Sequence, residues 1–282
     1  MRILVTGLDG FTGRYVQREL EAHGHQVVGL RADLTDLEAV KQDIESVRPE
    51  AVIHLAAISF VGHGDANAFY QVNLIGTRNL VEALSQHTED LQCVLLASSA
   101  NIYGNSTEGV IDESVLPAPV NDYSVSKLAM EYMARLWMNK LPIVIARPFN
   151  YTGVGQSPSF LLPKIVDHFR RGEKEIELGN IDVARDFSDV RTVATVYRHL
   201  VEEKVTGEIF NVCSGEAFSL SDVLDMMKDI SGYAIKVRVN PAFVRENEVK
   251  RLMGDGSRLA GCIGRQDPIP LRATLEWMYS SH

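Results

Sequence analysis

The sequence predicts an α/β fold, a doubly wound parallel sheet followed by a smaller C-terminal α/β lobe, and three observations carry that expectation. Short apolar runs recur at residues 3–5, 26–30, 51–57, 93–97 and 142–146. The run at 51–57 is apolar without alternation, as in strands covered on both faces of a parallel sheet. Helical patterns separate the runs, at 14–23, 37–47, 74–86 and 123–137, and strand–helix alternation is the pattern of parallel crossovers. Past residue 150 the texture changes, because Gly153, Gly155, Pro158 and Pro163 break the periodicity before one helix at 160–171. The expected division is 1–150 with about 187–212 for the sheet, and 151–186 with 213–282 for the lobe.

A chain of 282 residues, 45% hydrophobic and 23% charged, is an ordinary globular protein of one or two closely packed domains. Its net charge of −9 argues against nucleic acid as the main partner, since phosphate backbones are held by excess Lys and Arg. The three cysteines, Cys93, Cys213 and Cys262, are unclustered and lack His neighbours at metal spacing. Neither disulfides nor a metal is expected, and the compartment reads as reducing, hence cytoplasmic. The N-terminal apolar run is too short for a signal peptide, and no stretch approaches the ~20 apolar residues that span a bilayer.

The first strand ends in Thr6-Gly7-Leu8-Asp9-Gly10-Phe11-Thr12-Gly13. Glycines at 7, 10 and 13 suit a backbone that turns tightly, approaches a pyrophosphate and packs a helix on a strand, with phosphates at the helix N-terminus. Phe11 and Thr12 then belong to the same cofactor loop. At the end of the second strand, where an acidic residue usually meets the ribose, stands Arg31. A guanidinium suits a 2′-phosphate, which favours NADP over NAD, the alternative being an ordinary surface Arg. Asp33 and Leu34 are expected to border the adenine, and Leu55, Ala56 and Ala57 to line the cofactor. His54 reads as a packed strand histidine, and the loop with Ser59, Phe60, His63 and Gly64 as facing substrate.

The fourth strand delivers Ser98 and Ser99 at its C-terminal end, where open α/β sheets keep their ligands. No Gly-x-Ser-x-Gly elbow supports a nucleophilic serine. Downstream, Tyr123 and Lys127 are four apart on a helical pattern and so share a face. An ammonium beside a phenol favours phenolate, so the Tyr123 pKa is expected below its usual ~10, suiting proton transfer at a carbonyl or alcohol. The alternative for this pair alone is an amphipathic helix with a half-buried Tyr and an exposed Lys.

Taken together, residues 6–13, 123–127 and 147–150 resemble the extended short-chain dehydrogenase/reductases that modify nucleotide sugars, a Rossmann-type family, over residues 2–264. The resemblance implies a catalytic set of Ser99, Tyr123 and Lys127, with Lys127 also on the nicotinamide ribose. It implies cofactor contacts at Asn73 and Pro148, and substrate contacts at Asn150 and Lys164. Segments 146–158, 179–190 and 211–215, and Arg245-Glu246-Asn247-Glu248-Val249, are similar to the GDP-mannose branch. There Arg185 and Arg245 would meet the diphosphate or nucleotide, and Glu248 the ribose hydroxyls. The branch's 4,6-dehydratases carry Thr-x-Glu where this chain has Ser99-Ala100-Asn101, and an amide cannot do that acid/base work.

The resemblance therefore implies NADPH-dependent reduction of the C4 ketone of GDP-4-keto-6-deoxy-D-mannose, with GDP-D-rhamnose as the expected product. NAD as cofactor, the C4 epimer GDP-6-deoxy-D-talose, a 4-epimerase with tightly bound NAD and a non-catalytic NADP-binding regulator stay open. Helices at 74–86 and 125–137 carry more apolar surface than one sheet face needs, in Leu80, Leu84, Leu128, Tyr132 and Leu136. The family implies a two-fold homodimer built from four such helices, burial under the second lobe being the alternative.

Overall fold

The computed structural model describes residues 1–59, 64–87, 90–104, 109–241 and 250–281. In chain order the first half runs β1 (Arg2–Thr6), α1 (Phe11–Ala22), β2 (Gln26–Gly29), α2 (Leu37–Val47), β3 (Ala51–His54), a short α3 (Ala66–Phe69), a π-helical segment (Tyr70–Gly76) and α4 (Thr77–His87). Then come β4 (Cys93–Ala97), a 3-10 turn (Ala100–Tyr103), β5 (Gly109–Ile111), α5 (Asp122–Arg135) and β6 (Ile143–Pro148). The second half runs β7 (Asn150–Thr152), α6 (Leu161–Arg170), β8 (Glu175–Leu178), β9 (Ala184–Asp189), α7 (Val190–Glu202) and β10 (Ile209–Val212). It closes with β11 (Ala217–Ser219), α8 (Leu220–Ser231), β12 (Lys236–Val239), β13 (Arg251–Gly254), α9 (Ser257–Ile263) and α10 (Leu271–Ser280).

The main sheet is six-stranded, in the order β10-β6-β4-β3-β1-β2, with each neighbouring pair parallel. Its strands are apolar on both faces because both are covered. Val16 and Leu20 of α1 and Val193 and Leu200 of α7 close one side with Ile3, Val5 and Ile53. Val40, Ile44, Leu80, Leu84 and Met130 close the other with Leu4, Val52 and Val94. Fully burying such side chains contributes ~1.5–3 kcal/mol each. Strand order reverses beside β1, between β2 and β3, and a crevice forms at such a switch point outside the carboxyl ends of the strands.

The remaining strands form a five-stranded mixed sheet, β11-β9-β13-β5 with β7 on β9, and a two-stranded parallel pair, β12-β8. Their core is Leu162, Ile165, Phe169, Val223, Met227 and Leu275. Of the apolar helix residues singled out by periodicity, Leu80 and Leu84 are spent on the sheet. Tyr132 and Leu136 stay 58% and 76% exposed.

Local boundaries differ from the sequence expectation in three places, each for a physical reason. Helix α1 starts at Phe11 and not Arg14, because the glycine turn leads directly into it through an extended Gly10 (ψ 171°). Strand β3 stops at His54 and not Ala57, since the amides of Leu55 and Ala56 donate to the Thr6 hydroxyl at 3.1 and 3.0 Å. The helix expected at 74–86 begins as π-helix at Tyr70, a winding that side-chain periodicity does not separate from α.

Candidate active site

The crevice begins at the glycine turn. Gly7 has φ +71°, and a Cβ there would sit 2.9 Å from the Ala56 amide nitrogen, so only glycine lets β1 turn against the end of β3. A Cβ on Gly13 would lie 2.2 Å from the Gly7 carbonyl oxygen, so α1 packs on its own entry loop only with glycine there. Gly10 caps α1 without a side-chain hydrogen bond and with no acidic residue in the first turn. First-turn amides and the positive end of the helix dipole are thus left to an anionic ligand.

Arg31 follows β2 on the rim. Its amide donates to the Asp43 carboxylate at 2.6 Å, as does that of Ala32 at 3.2 Å, which fixes the backbone. Its guanidinium is exposed and makes no ion pair among the described residues. Asp33 accepts from the Thr35 amide and hydroxyl, both at 2.8 Å, which holds its carboxyl below the usual range. Leu34 is buried under Gly76 and its carbonyl accepts from Asn79 Nδ2 at 2.8 Å. A turn with glycine at 7, 10 and 13, an uncapped helix start and a rim guanidinium fit a dinucleotide with a 2′-phosphate.

Beneath the crevice runs a buried hydrogen-bond chain. Thr6 Oγ1 meets His54 Nδ1 at 2.7 Å, and His54 Nε2 meets Thr77 Oγ1 at 2.8 Å. Thr77 donates to the Asn73 carbonyl at 2.7 Å, so it accepts from His54 and the imidazole proton sits on Nε2. Burial, with the nearby Lys127 charge adding to it, pulls His54 down to about 3, which keeps the ring neutral. The Asn73 side chain accepts from the Ile58 amide at 2.9 Å and donates to the Ile58 carbonyl and to Ser126 Oγ. Ser126 in turn donates to the Tyr123 carbonyl at 2.7 Å. Asn73, expected on the cofactor, here pins the loop after β3 to the start of α5.

Helix α5 starts where it does because Asn121 and Ser124 form a reciprocal capping box. That start sets Tyr123 and Lys127, 7% and 4% exposed, against the C-terminal end of β4. Ser99 caps the following 3-10 turn by accepting from the Asn101 amide, and its side chain also hydrogen-bonds Tyr123. Lys127 Nζ donates to the Ala97 carbonyl at 2.7 Å. The expected depression of the Tyr123 pKa is overturned here. Burial pushes the phenol up to about 12, against which the Ser99 hydrogen bond pulls down. Burial also pulls the Lys127 ammonium down to about 8, with the Glu131 carboxylate holding it up. Desolvation outweighs the expected charge pairing.

Behind these residues lies a network that the sequence reading missed. Glu131, one turn past Lys127, accepts from Ser98 Oγ at 2.5 Å and from Arg147 Nε and Nη2 at 3.0 and 2.6 Å. Arg147 Nη1 donates to the Tyr103 hydroxyl, which donates to Asn211 Oδ1, both at 2.8 Å. Arg147 therefore braces β6 against α5 and does not face the crevice. Pro148 is buried at the end of β6, in register with Val212 of β10.

On the far side, Asn150 is exposed and donates to the Asp186 carbonyl at 3.2 Å. Ser59 is exposed past the end of β3. Lys164 Nζ donates to the Glu177 carbonyl at 2.9 Å, and Arg185 Nη1 to the Ala184 carbonyl at 2.9 Å. Arg245, Glu248, Phe60 and His63 lie outside the described residues. Asp186, also unforeseen, accepts from the Ser214, Gly215 and Gly254 amides at 2.9, 3.0 and 3.2 Å, joining the loop after β10 to β9 and β13.

Known proteins carry the same organisation. The chain is 35% identical to GDP-6-deoxy-D-talose 4-dehydrogenase of Aggregatibacter actinomycetemcomitans, over 100% of its own length and 98% of the relative's. It is 33% identical to GDP-6-deoxy-D-mannose reductase of Pseudomonas aeruginosa, over 99% and 96%. Among solved structures, a putative epimerase of Burkholderia cenocepacia superposes with a TM-score of 0.94 at 52% identity, covering 99% of this chain and 96% of that one. RMD of Pseudomonas aeruginosa complexed with NADPH superposes with a TM-score of 0.90 at 31% identity, over 99% and 97%. Residues 3–213 match the NAD dependent epimerase/dehydratase family, and with its glycine turn, switch-point crevice and Ser99, Tyr123 and Lys127 side chains the chain belongs to that family.

Proposed function

We propose that the chain is an NADPH-dependent reductase acting on the C4 ketone of GDP-4-keto-6-deoxy-D-mannose, with GDP-D-rhamnose as product. The observation that carries this reading is the state of Tyr123. It is a buried phenol kept neutral, hydrogen-bonded to Ser99, and a neutral phenol is the acid that ketone reduction requires. Asn101, exposed in the turn that Ser99 caps, offers an amide where dehydration would need a carboxylate. The relatives named for GDP-6-deoxy-hexose oxidoreduction support both the reaction class and the nucleotide.

In this reading Tyr123 gives its proton to the C4 oxygen and Ser99 orients that oxygen. Lys127, held on the Ala97 carbonyl, presents its ammonium to the nicotinamide ribose. When bound, the dinucleotide supplies the hydride. The glycine turn and the first-turn amides of α1 would hold its pyrophosphate, Leu55, Ala56 and Ala57 its body, Asp33 and Leu34 the adenine, and Arg31 its 2′-phosphate. Asn150, Ser59, Lys164, Arg185, Arg245 and Glu248 are assigned to the GDP-sugar. We assign residues 1–150 and about 187–212 to the cofactor and the rest to the substrate. Ile75, Val125, Tyr132 and Leu136, exposed on the π-helical segment, on α5 and at its C-cap, are assigned to a homodimer face.

A second reading keeps every residue role and changes the face of attack, giving GDP-6-deoxy-D-talose. The 35% identity to the talose dehydrogenase over the whole chain favours it. The test is NADPH oxidation with GDP-4-keto-6-deoxy-D-mannose, the product read by NMR. The H3–H4 coupling is large for rhamnose and small for talose. Oxidation with neither this substrate nor another 4-keto sugar nucleotide would sink the reductase, and equal rates with the dTDP sugar would sink the GDP assignment.

A further inference from the structure

Tyr151, on β7 immediately after Asn150, reaches back to the glycine turn of the first strand. Its hydroxyl lies 2.9 Å from Thr12 Oγ1 in the first turn of α1. Its ring stacks on Phe11 with centroids 6.2 Å apart and planes 11° from parallel. Tyr15, one turn along α1, donates to the Val154 carbonyl at 2.7 Å and so grips the same segment. The first turns of α1 and residues 151–154 are thus one packed unit.

Either hydroxyl of the Tyr151–Thr12 pair is able to donate, and chemistry decides between them. A phenol is a stronger donor than an aliphatic alcohol, and the Tyr151 hydroxyl has no other hydrogen-bond partner among the described residues. Were Thr12 the donor, the phenol proton would be left unpaired in a half-buried place, which burial penalises. Tyr151 therefore donates. The Thr12 proton is then directed away from Tyr151, at a helix start that has no side-chain cap and no carboxylate in its first turn. Such a helix start favours an anionic acceptor.

We propose that Tyr151 is a positioning residue for the cofactor, its phenol fixing the Thr12 hydroxyl as a donor to the dinucleotide pyrophosphate. The inference rests on the reading that the glycine turn holds NADPH. It also gives Tyr151 a place between the two ligands, since Asn150, the preceding residue, is assigned to the sugar.

The test is equilibrium binding without sugar substrate, by NADPH fluorescence titration. Tyr151→Phe keeps the ring stack and removes the donor, and should weaken NADPH about 5- to 10-fold, the value of one hydrogen bond to a charged network. Thr12→Val should weaken it at least as much, Thr12→Ser should not, and Tyr151→Phe should add nothing in the Thr12→Val background. Binding of adenosine 2′-monophosphate, which has no pyrophosphate, should be unchanged by Tyr151→Phe. Equal loss for NADPH and adenosine 2′-monophosphate, additive losses in the double variant, or no loss would overturn the inference. Failure of the unsubstituted chain to bind NADPH would instead overturn the cofactor reading. Should Tyr151→Phe not fold, Thr12→Val against Thr12→Ser carries the same comparison.

Discussion

Replacing Glu131 with Gln keeps the shape of the side chain and removes its charge from the brace behind Tyr123 and Lys127. In the native chain that carboxylate takes two guanidinium contacts from Arg147, at 3.0 and 2.6 Å, and the pair is 4% and 1% exposed. With Gln, one contact becomes an amide facing a guanidinium, and the Arg147 charge is buried without a counter-ion. Breaking one side of a buried pair costs ~3–5 kcal/mol. An unfolding entropy of about 2.1 cal/mol/K per residue gives ~0.6 kcal/mol/K for a chain of 282 residues, so Tm should fall by about 5–8 °C. Glu276→Gln, at the pair with Arg272 where both side chains are about half exposed, should cost under ~1 kcal/mol. Thermal unfolding by circular dichroism compares the two directly. A second readout is kinetic, because burial pulls the Lys127 ammonium down to about 8 and the Glu131 charge keeps it from falling further. Removing it should move the basic limb of the kcat profile to lower pH. Equal Tm losses for Glu131→Gln and Glu276→Gln, with an unmoved basic limb, would refute the reasoning.

Tyr123→Phe should lower kcat by ~100- to 10,000-fold, the usual loss of a general acid, while NADPH binding by titration changes little. Arg31→Ala should weaken NADPH far more than NADH, and equal losses would make Arg31 a bystander. Lys127→Met tests the buried ammonium through stability. Burial pulls its pKa down to about 8 from the ordinary 10.5, so the native chain holds that proton less well than the unfolded one. The resulting penalty is complete below pH 8 and is released as pH rises to 10.5. The stability of Lys127→Met relative to the unsubstituted chain, by urea unfolding, should therefore decline across that window, and a flat difference would contradict the burial argument. His54→Phe should cost ~1–3 kcal/mol by leaving the Thr6 hydroxyl proton without an acceptor, checked by the same unfolding series.

The parallel sheet was legible because its strands are apolar on both faces, and the glycine turn because steric demands leave few residue types at positions 7 and 13. The strand end placed Ser99 and the helical spacing paired Tyr123 with Lys127, while the family resemblance was what grouped the three. Their ionisation was not legible. Spacing shows that a Lys and a Tyr share a helix face, but the degree of burial, which sets the sign of the shift, belongs to the packed molecule. Partners distant in the chain were equally hidden: Thr12 and Tyr151 are 139 residues apart, and Glu131 and Arg147 meet across two elements. The short strands β5, β7 and β11, three residues each, carry too little periodicity to declare themselves.

The central claim is that a hydride reaches C4 of a GDP-bound ketone while Tyr123 supplies the proton. It is tested most directly with NADPH carrying deuterium at the transferring position of nicotinamide C4 and GDP-4-keto-6-deoxy-D-mannose, the product being examined by NMR and mass spectrometry. The account predicts one deuterium at C4 of the sugar for each NADP formed, and loss of both signals in Tyr123→Phe. A product without deuterium at C4, or a C4-epimerised sugar formed with no net NADPH consumption, would contradict it.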